Sequence, residues 1–128
     1  MSESELYGQI IQAHSHGATR IFRQQSLLAW AGKIVSRTAT TITLLHPHAV
    51  KFGVPGMADL GGLTAVEITE AMIGQTMAID VQIEVKYGRA KPTAEQAAFI
   101  AMVRQLGGRA GVARSVEDAG LIISGGNV

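Results

Sequence analysis

Three side chains in this sequence have the types and spacing to work on a phosphate. Asp59 is followed about 25 residues later by Glu84, and Lys86 stands two positions beyond that. Two carboxylates brought together repel unless a cation or a proton resolves the charge. Hard oxygen donors suit Mg2+ or Mn2+, ions that activate water and stabilise charge on a phosphate. Along a strand, Lys86 falls on the same face as Glu84, where its ammonium can position a water or offset developing negative charge. As a bare pattern Glu-x-Lys is weak, and it is more often simply the wet face of a strand.

The pattern becomes a site only if the chain brings the acids together. Residues 80–86 alternate: Val81, Ile83 and Val85 fall on one face, and Asp80, Gln82, Glu84 and Lys86 on the other. Upstream, Gly56-Met57-Ala58-Asp59-Leu60-Gly61-Gly62 is a glycine-punctuated stretch with one acid. The pattern predicts an extended run over 57–68, a loose hairpin tip over 69–75 and a second strand over 76–86. With the tip near Ala71 or Met72, Asp59 lies opposite Glu84, with facing Cβ atoms about 4.5–5.5 Å apart. A slip of one residue or a bulge would spoil this register. Asp80 and Gln82 would lie toward the tip, and Glu67 and Glu70 would be solvated hairpin charges.

The other elements follow from local signals. Leu6, Ile10 and Ala13 recur at helical spacing after Ser2, whose partner three residues on is Glu5, so residues 2–14 read as a helix with a capping box ending at Gly17. Residues 20–25 and 27–31 are short runs that could be strands. Residues 33–45 read as two strands turning near Ser36-Arg37, with His46-Pro47-His48 breaking the pattern. Gly88 and Pro92 end the Glu84 strand. Thr93 caps a helix with Gln96 at the capping-box position, and Gly107-Gly108 stops it. A short apolar strand over 109–113 and a last helix capped by Ser115 with Asp118 precede a tail expected to fray from Ser124 through Asn127. The order is α-β-β-β-β-β-α-β-α, an α/β fold with a mixed sheet flanked by helices.

At 128 residues, 47% hydrophobic and 16% charged, the chain reads as one ordered domain over 1–128. It has no cysteine, which excludes disulfides and thiolate metal sites. No signal-peptide pattern or membrane-spanning run is evident, and the expectation is a soluble intracellular protein with no membrane partner. The net charge of +1 says little, but its distribution says more. No acid occurs between Leu6 and Ala58, where Arg20, Arg23, Lys33, Arg37 and Lys51 lie. A basic surface around a small acidic centre suits a phosphate backbone with a divalent ion, and Arg20, Arg23, Lys33, Arg89 and Lys91 are the candidates for DNA contacts. Trp30 reads as core or sheet packing rather than a base-stacking platform. His14/His16 and His46/His48 are spaced like chelating pairs, but without further ligands they read as surface or DNA-facing polarity.

Several stretches together resemble one family. They are Phe22-Arg23-Gln24-Gln25, Ala29-Trp30-Ala31-Gly32-Lys33, residues 53–61 with Asp59-Leu60, Ile83-Glu84-Val85-Lys86 with Gly88-Arg89, Thr93-Ala94-Glu95-Gln96-Ala97-Ala98-Phe99, Gly107-Gly108-Arg109-Ala110, and residues 112–118. In this order they resemble the VRR-NUC (virus-type replication-repair nuclease) domains of the PD-(D/E)xK nuclease superfamily, over nearly the whole chain. The resemblance implies a restriction-endonuclease-like fold and Mg2+- or Mn2+-dependent phosphodiester cleavage. It implies Asp59 and Glu84 as metal ligands, the Val85 carbonyl as a possible third, Lys86 as the catalytic lysine and Gln96 as the glutamine near the site. It also implies a glutamate on the first helix, for which Glu3 fits the spacing and Glu5 is the rival. Ala58 stands where the superfamily name has proline, and Gln24-Gln25 stands where relatives often carry asparagines. Standalone viral domains of this kind imply a homodimer acting on branched DNA, including four-way junctions, in the host cytoplasm. The alternatives are a non-cleaving DNA-binding or replication-partner module, or a flap or exonuclease activity at the same site.

Overall fold

A computed structural model describes residues 2–24 and 27–126. The elements run α1 (Glu3–His14), β1 (Thr19–Arg23), β2 (Leu27–Arg37), β3 (Ile42–Phe52), β4 (Leu60–Thr64), a 3-10 turn (Glu70–Met72), β5 (Val81–Val85), α2 (Ala94–Gln105), β6 (Arg109–Ala113) and α3 (Val116–Ile123). This is the expected order of helices and strands, and the protein is mixed α/β. The strands do not form one sheet among the described residues: they pair as β1 with β4, β2 with β3, and β5 with β6. Two compact units result, one of Met1–Ile11 with Ile21–Gly61, the other of Gln12–Arg20 with Gly62–Val128.

In the first unit, α1 opens on the expected capping box. The Ser2 N–H donates to the Glu5 carboxylate at 2.6 Å, and Ser2 Oγ accepts from the Glu5 N–H at 3.1 Å. The bond from the Ser2 N–H, with a smaller contribution from the Ser2 hydroxyl, holds the Glu5 carboxyl below its ordinary range. Its contribution to the helix is therefore present above the ordinary glutamate pKa and is lost as pH falls through the lowered one. Gln25, part of the segment that carries the family resemblance, lies outside the described residues.

The β2–β3 hairpin departs from expectation. β2 is one strand through Arg37, not two, and the turn falls at 38–41 rather than at Ser36-Arg37. Thr38 explains the shift: its Oγ1 accepts from the Thr40 and Thr41 N–H groups, and its N–H donates to the Thr41 carbonyl at 2.8 Å. β3 also runs through His46-Pro47-His48, because the break is absorbed as a bulge. Ala31 faces His48 and Lys33 faces Leu45, leaving Gly32 alone against two residues, with His46 at φ 50°. A Cβ on Gly32 would lie 2.9 Å from the Leu45 carbonyl oxygen and 3.3 Å from Pro47 Cα, both backbone atoms. Gly32→Ala is therefore expected to destabilise the hairpin by about 1–2 kcal/mol, read as a lower denaturation midpoint. An unchanged midpoint would mean that the bulge opens freely. Trp30 is a correction: its side chain is 62% exposed, so it is not a core residue. Strand alternation shows which residues share a face, not whether that face is covered.

In the second unit, β5 and β6 run parallel, Val81 facing Arg109 through to Val85 facing Ala113, with α2 as the crossover. The hairpin expected between 57–68 and 76–86 is not formed, so the register placing Asp59 opposite Glu84 is not the one adopted. β4 pairs with β1 instead: Gln24 bonds to Asp59 in the first unit and Ala65 to Ala18 in the second, so the strands are antiparallel. Residues 76–80 lie outside β5, and the 3-10 turn replaces the hairpin tip. A parallel pair needs a long crossover, and the helix between the two apolar strands supplies it.

The helices of this unit cover opposite faces of the pair. Ala110 and Val112 pack with Phe99, Ile100, Met102 and Val103 of α2. Gly111, on the other face, abuts Ile122 of α3, whose Cγ1 would lie 2.9 Å from an added Cβ. The caps are those the sequence encodes. Thr93 and Gln96 form a complete capping box, and Ser115 accepts from the Asp118 N–H. Gly107, at φ 95°, lets the Gly108 N–H reach the Val103 carbonyl and closes α2. The tail expected to fray is bonded through Gly126, whose N–H donates to the Leu121 carbonyl while Gly125 donates to Ile122. Asn127 lies outside the described residues. No helix among the described residues is long and apolar enough to cross a membrane.

Candidate active-site residues in two groups

β5 puts Gln82 and Glu84 on the α2 face and Ile83 on the other, beside Gly111. Glu84 therefore lies under the first turn of α2. Gln96 Nε2 donates to Glu84 Oε1 at 2.8 Å. The same oxygen lies 3.1 Å from Lys86 Nζ. Glu84 and Lys86 are both half-buried, at 29% and 19% side-chain exposure, so their attraction is less screened than that of a surface pair. Gln82, Glu84, Glu95, Gln96, Phe99 and Ile100 line a small open cleft here. Val85 ends the strand with its side chain exposed. The ladder continues one bond further, from the Lys86 N–H to the Ala113 carbonyl at 3.0 Å, which fixes the backbone at the lysine.

Gln96 has two bonds and therefore two roles. Its carbonyl oxygen accepts from the Thr93 N–H at 2.8 Å, completing the cap, while its amide holds Glu84. Gln96→Glu keeps a capping-box residue but sets a carboxylate against Glu84. The expected result is a thermal midpoint within a degree or two of wild type, with any activity that depends on Glu84 lowered about 10- to 100-fold. An equal loss of midpoint and activity would reduce Gln96 to its cap.

The other predicted acids come together in the first unit. The Tyr7 hydroxyl bonds to the Glu3 carboxylate one helical turn away, and its ring carries the Arg23 guanidinium at 4.7 Å. That bond to Glu3 holds the Tyr7 phenol well above its ordinary range, with burial and a hydrogen bond to Asp59 adding to it. Deprotonation would set a phenolate beside two carboxylates, and the phenol stays the donor. Tyr7 thus links Glu3 on α1 with Asp59 ahead of β4. Glu5 instead spends its carboxylate on the cap. Tyr7 is not among the residues the sequence points to, since its place four residues after Glu3 marks it only once Glu3 has been chosen.

The cationic candidates differ in their engagements. Arg20 Nη1 donates to the Gly17 and Thr19 carbonyls at 2.7 and 2.8 Å, tying its head to its own turn. Arg23 stacks on Tyr7, while Lys33, Arg89 and Lys91 are exposed. Arg114, which sequence reasoning did not single out, donates to the Gly88 carbonyl at 2.8 Å and anchors the loop that carries Arg89 and Lys91.

The carboxylates of Glu3, Asp59 and Glu84 are hard donors suited in kind to Mg2+ or Mn2+. No group of three or more His, Cys, Asp or Glu side chains that could hold a metal ion forms among the described residues. No family model matches the chain, and neither does any curated protein or solved structure.

Proposed function

We propose that this protein is an Mg2+- or Mn2+-dependent DNA endonuclease of the VRR-NUC kind. Its restriction-endonuclease-like site would hydrolyse phosphodiester bonds in branched DNA such as four-way junctions, and the chain would act as a homodimer. The observation that carries the reading is the single Glu84 oxygen held by both Lys86 and Gln96. A strand acid, a lysine two residues on and a glutamine at the start of the next helix are three matches to the resemblance, and they meet at one point. Ordinary wet-face charges have no need of such convergence.

The resemblance assigns Asp59, Glu84 and the Val85 carbonyl to the metal. An ion held there would supply a more acidic water and draw charge off the phosphate. Lys86 holds a positive charge against the Glu84 carboxylate, where it can orient the attacking water and meet charge developing on the phosphate. Gln96 fixes the Glu84 rotamer. Of the two helix acids, Glu3 is the supported choice, because it shares Tyr7 with Asp59 while Glu5 is bound into the cap. A two-fold pair gives one site to each of two strands, which suits a junction.

The test is Asp59→Asn, assayed for cleavage and for DNA binding in parallel. The side chain is exposed, so the protein should fold and bind DNA while cleavage is lost. Full cleavage by this variant would refute the assignment. Binding of junctions by a wild-type protein that never cuts them would favour a non-cleaving module.

A further inference from the structure

The β2–β3 hairpin is a long two-stranded ribbon, and among its described side chains none is buried. Leu28, Trp30, Ile34, Val35, Ile42 and Phe52 are all exposed large apolar residues. Such a surface has a reason to be covered. Two properties of the ribbon say by what. The first is charge: Lys33, Arg37 and Lys51 are its charged residues, and no acid occurs anywhere between Leu6 and Ala58. Two copies of this ribbon laid together would bring cations into contact without counter-charges, which opposes self-pairing. A polyanion supplies them.

The second property is the setting of Trp30. Its cross-strand partner is Ala49, too small to cover an indole ring. Leu28 and its partner Lys51 lie next along the same face. An uncovered aromatic face flanked by a cation is what a protein offers an unstacked base with its phosphate. A two-stranded ribbon is also narrow enough to follow a DNA groove.

We propose that the β2–β3 ribbon docks a nucleic-acid strand, Trp30 stacking on an exposed base while Lys51 and Arg37, which the register sets on the same face, meet the flanking phosphates. The proposal rests on the nuclease reading for its choice of partner, and it gives that reading a surface for opened DNA at branch points.

Trp30 is the sole tryptophan of the chain, so emission excited selectively at tryptophan, apart from the two tyrosines, reports on the ribbon alone. The experiment uses the full chain in EDTA, so that no cleavage is involved. It is titrated with a four-way junction and with a single-stranded oligonucleotide while binding is followed independently by gel shift. The expected result is quenching of tryptophan emission that saturates with binding. Arg37→Ala combined with Lys51→Ala should weaken affinity on the order of 10-fold and lower the slope of log affinity against log salt by about 2. Emission unchanged at saturating DNA, or no DNA binding at all, would overturn the proposal. So would a blue shift that grows with protein concentration without DNA, since a second copy would then cover the ribbon. A wild-type protein that cuts junctions in Mn2+ with Trp30 silent would fail this proposal alone. Quenching without cleavage would fail the nuclease reading alone.

Discussion

On the proposed nuclease function, replacing Lys86 by alanine is expected to lower DNA cleavage by about 1000-fold or more while leaving fold and DNA binding in place. The ammonium lies 3.1 Å from Glu84 Oε1, and the backbone beneath it is fixed by the bond to Ala113. Removing it takes away the charge nearest the acid while Gln96 still holds the carboxylate in place. The loss should therefore fall on the rate of the chemical step under single-turnover conditions and not on affinity for DNA. Lys86→Arg should restore little, because a planar fork does not occupy the position of a point charge. Near-normal single-turnover rates in Lys86→Ala would leave Glu84 and Lys86 as a structural ion pair on the edge of the cleft.

The largest expected effect on stability is that of Ile122→Ala. Ile122 is 1% exposed and packs on Gly111, where the absent side chain lets α3 approach the strand pair. Burying a residue this fully in so small a core makes truncation cost about 2–5 kcal/mol, since the glycine opposite has no side chain to relax into the gap. The buried core among the described residues is only Ile100, Val103, Ala110, Ala113 and Ile122, so little else would compensate. Denaturant unfolding should show the loss directly. Because α3 covers the face of the pair opposite Glu84, protease sensitivity of β5 and β6 should rise with it. A change below about 1 kcal/mol would mean that the α2 face alone holds the strands together.

What the sequence made legible was local. The caps at Ser2, Thr93 and Ser115, the Gly107 stop and the order of elements all depend on residues within one turn of each other. The bonds observed are those the residue types imply. Glu84 and Lys86 shared a strand face for the same reason. Strand partners were not legible, because a strand carries no mark of which neighbour it will choose. The antiparallel hairpin assumed that consecutive strands pair. The chain instead used α2 as a crossover and set β5 beside β6, whose Ala110, Gly111 and Ala113 are small enough to take a helix on each face. Trp30 failed for a related reason, since its exposure depends on what lies over the ribbon. Gln96 was named from the resemblance and proves to bond Glu84 directly, whereas Tyr7 was missed because a tyrosine on an acidic helix turn looks like any exposed aromatic.

If the residues meeting at Glu84 serve metal-dependent phosphodiester hydrolysis, a cleavage assay on the purified wild-type chain will read it. A labelled four-way junction, with duplex, nicked and flap DNA beside it, is incubated with Mn2+ and, in parallel, with EDTA. The account predicts strand cleavage of branched substrates in Mn2+ and none in EDTA. Intact junctions after prolonged incubation in both Mn2+ and Mg2+, with the protein folded and bound to DNA, would contradict it.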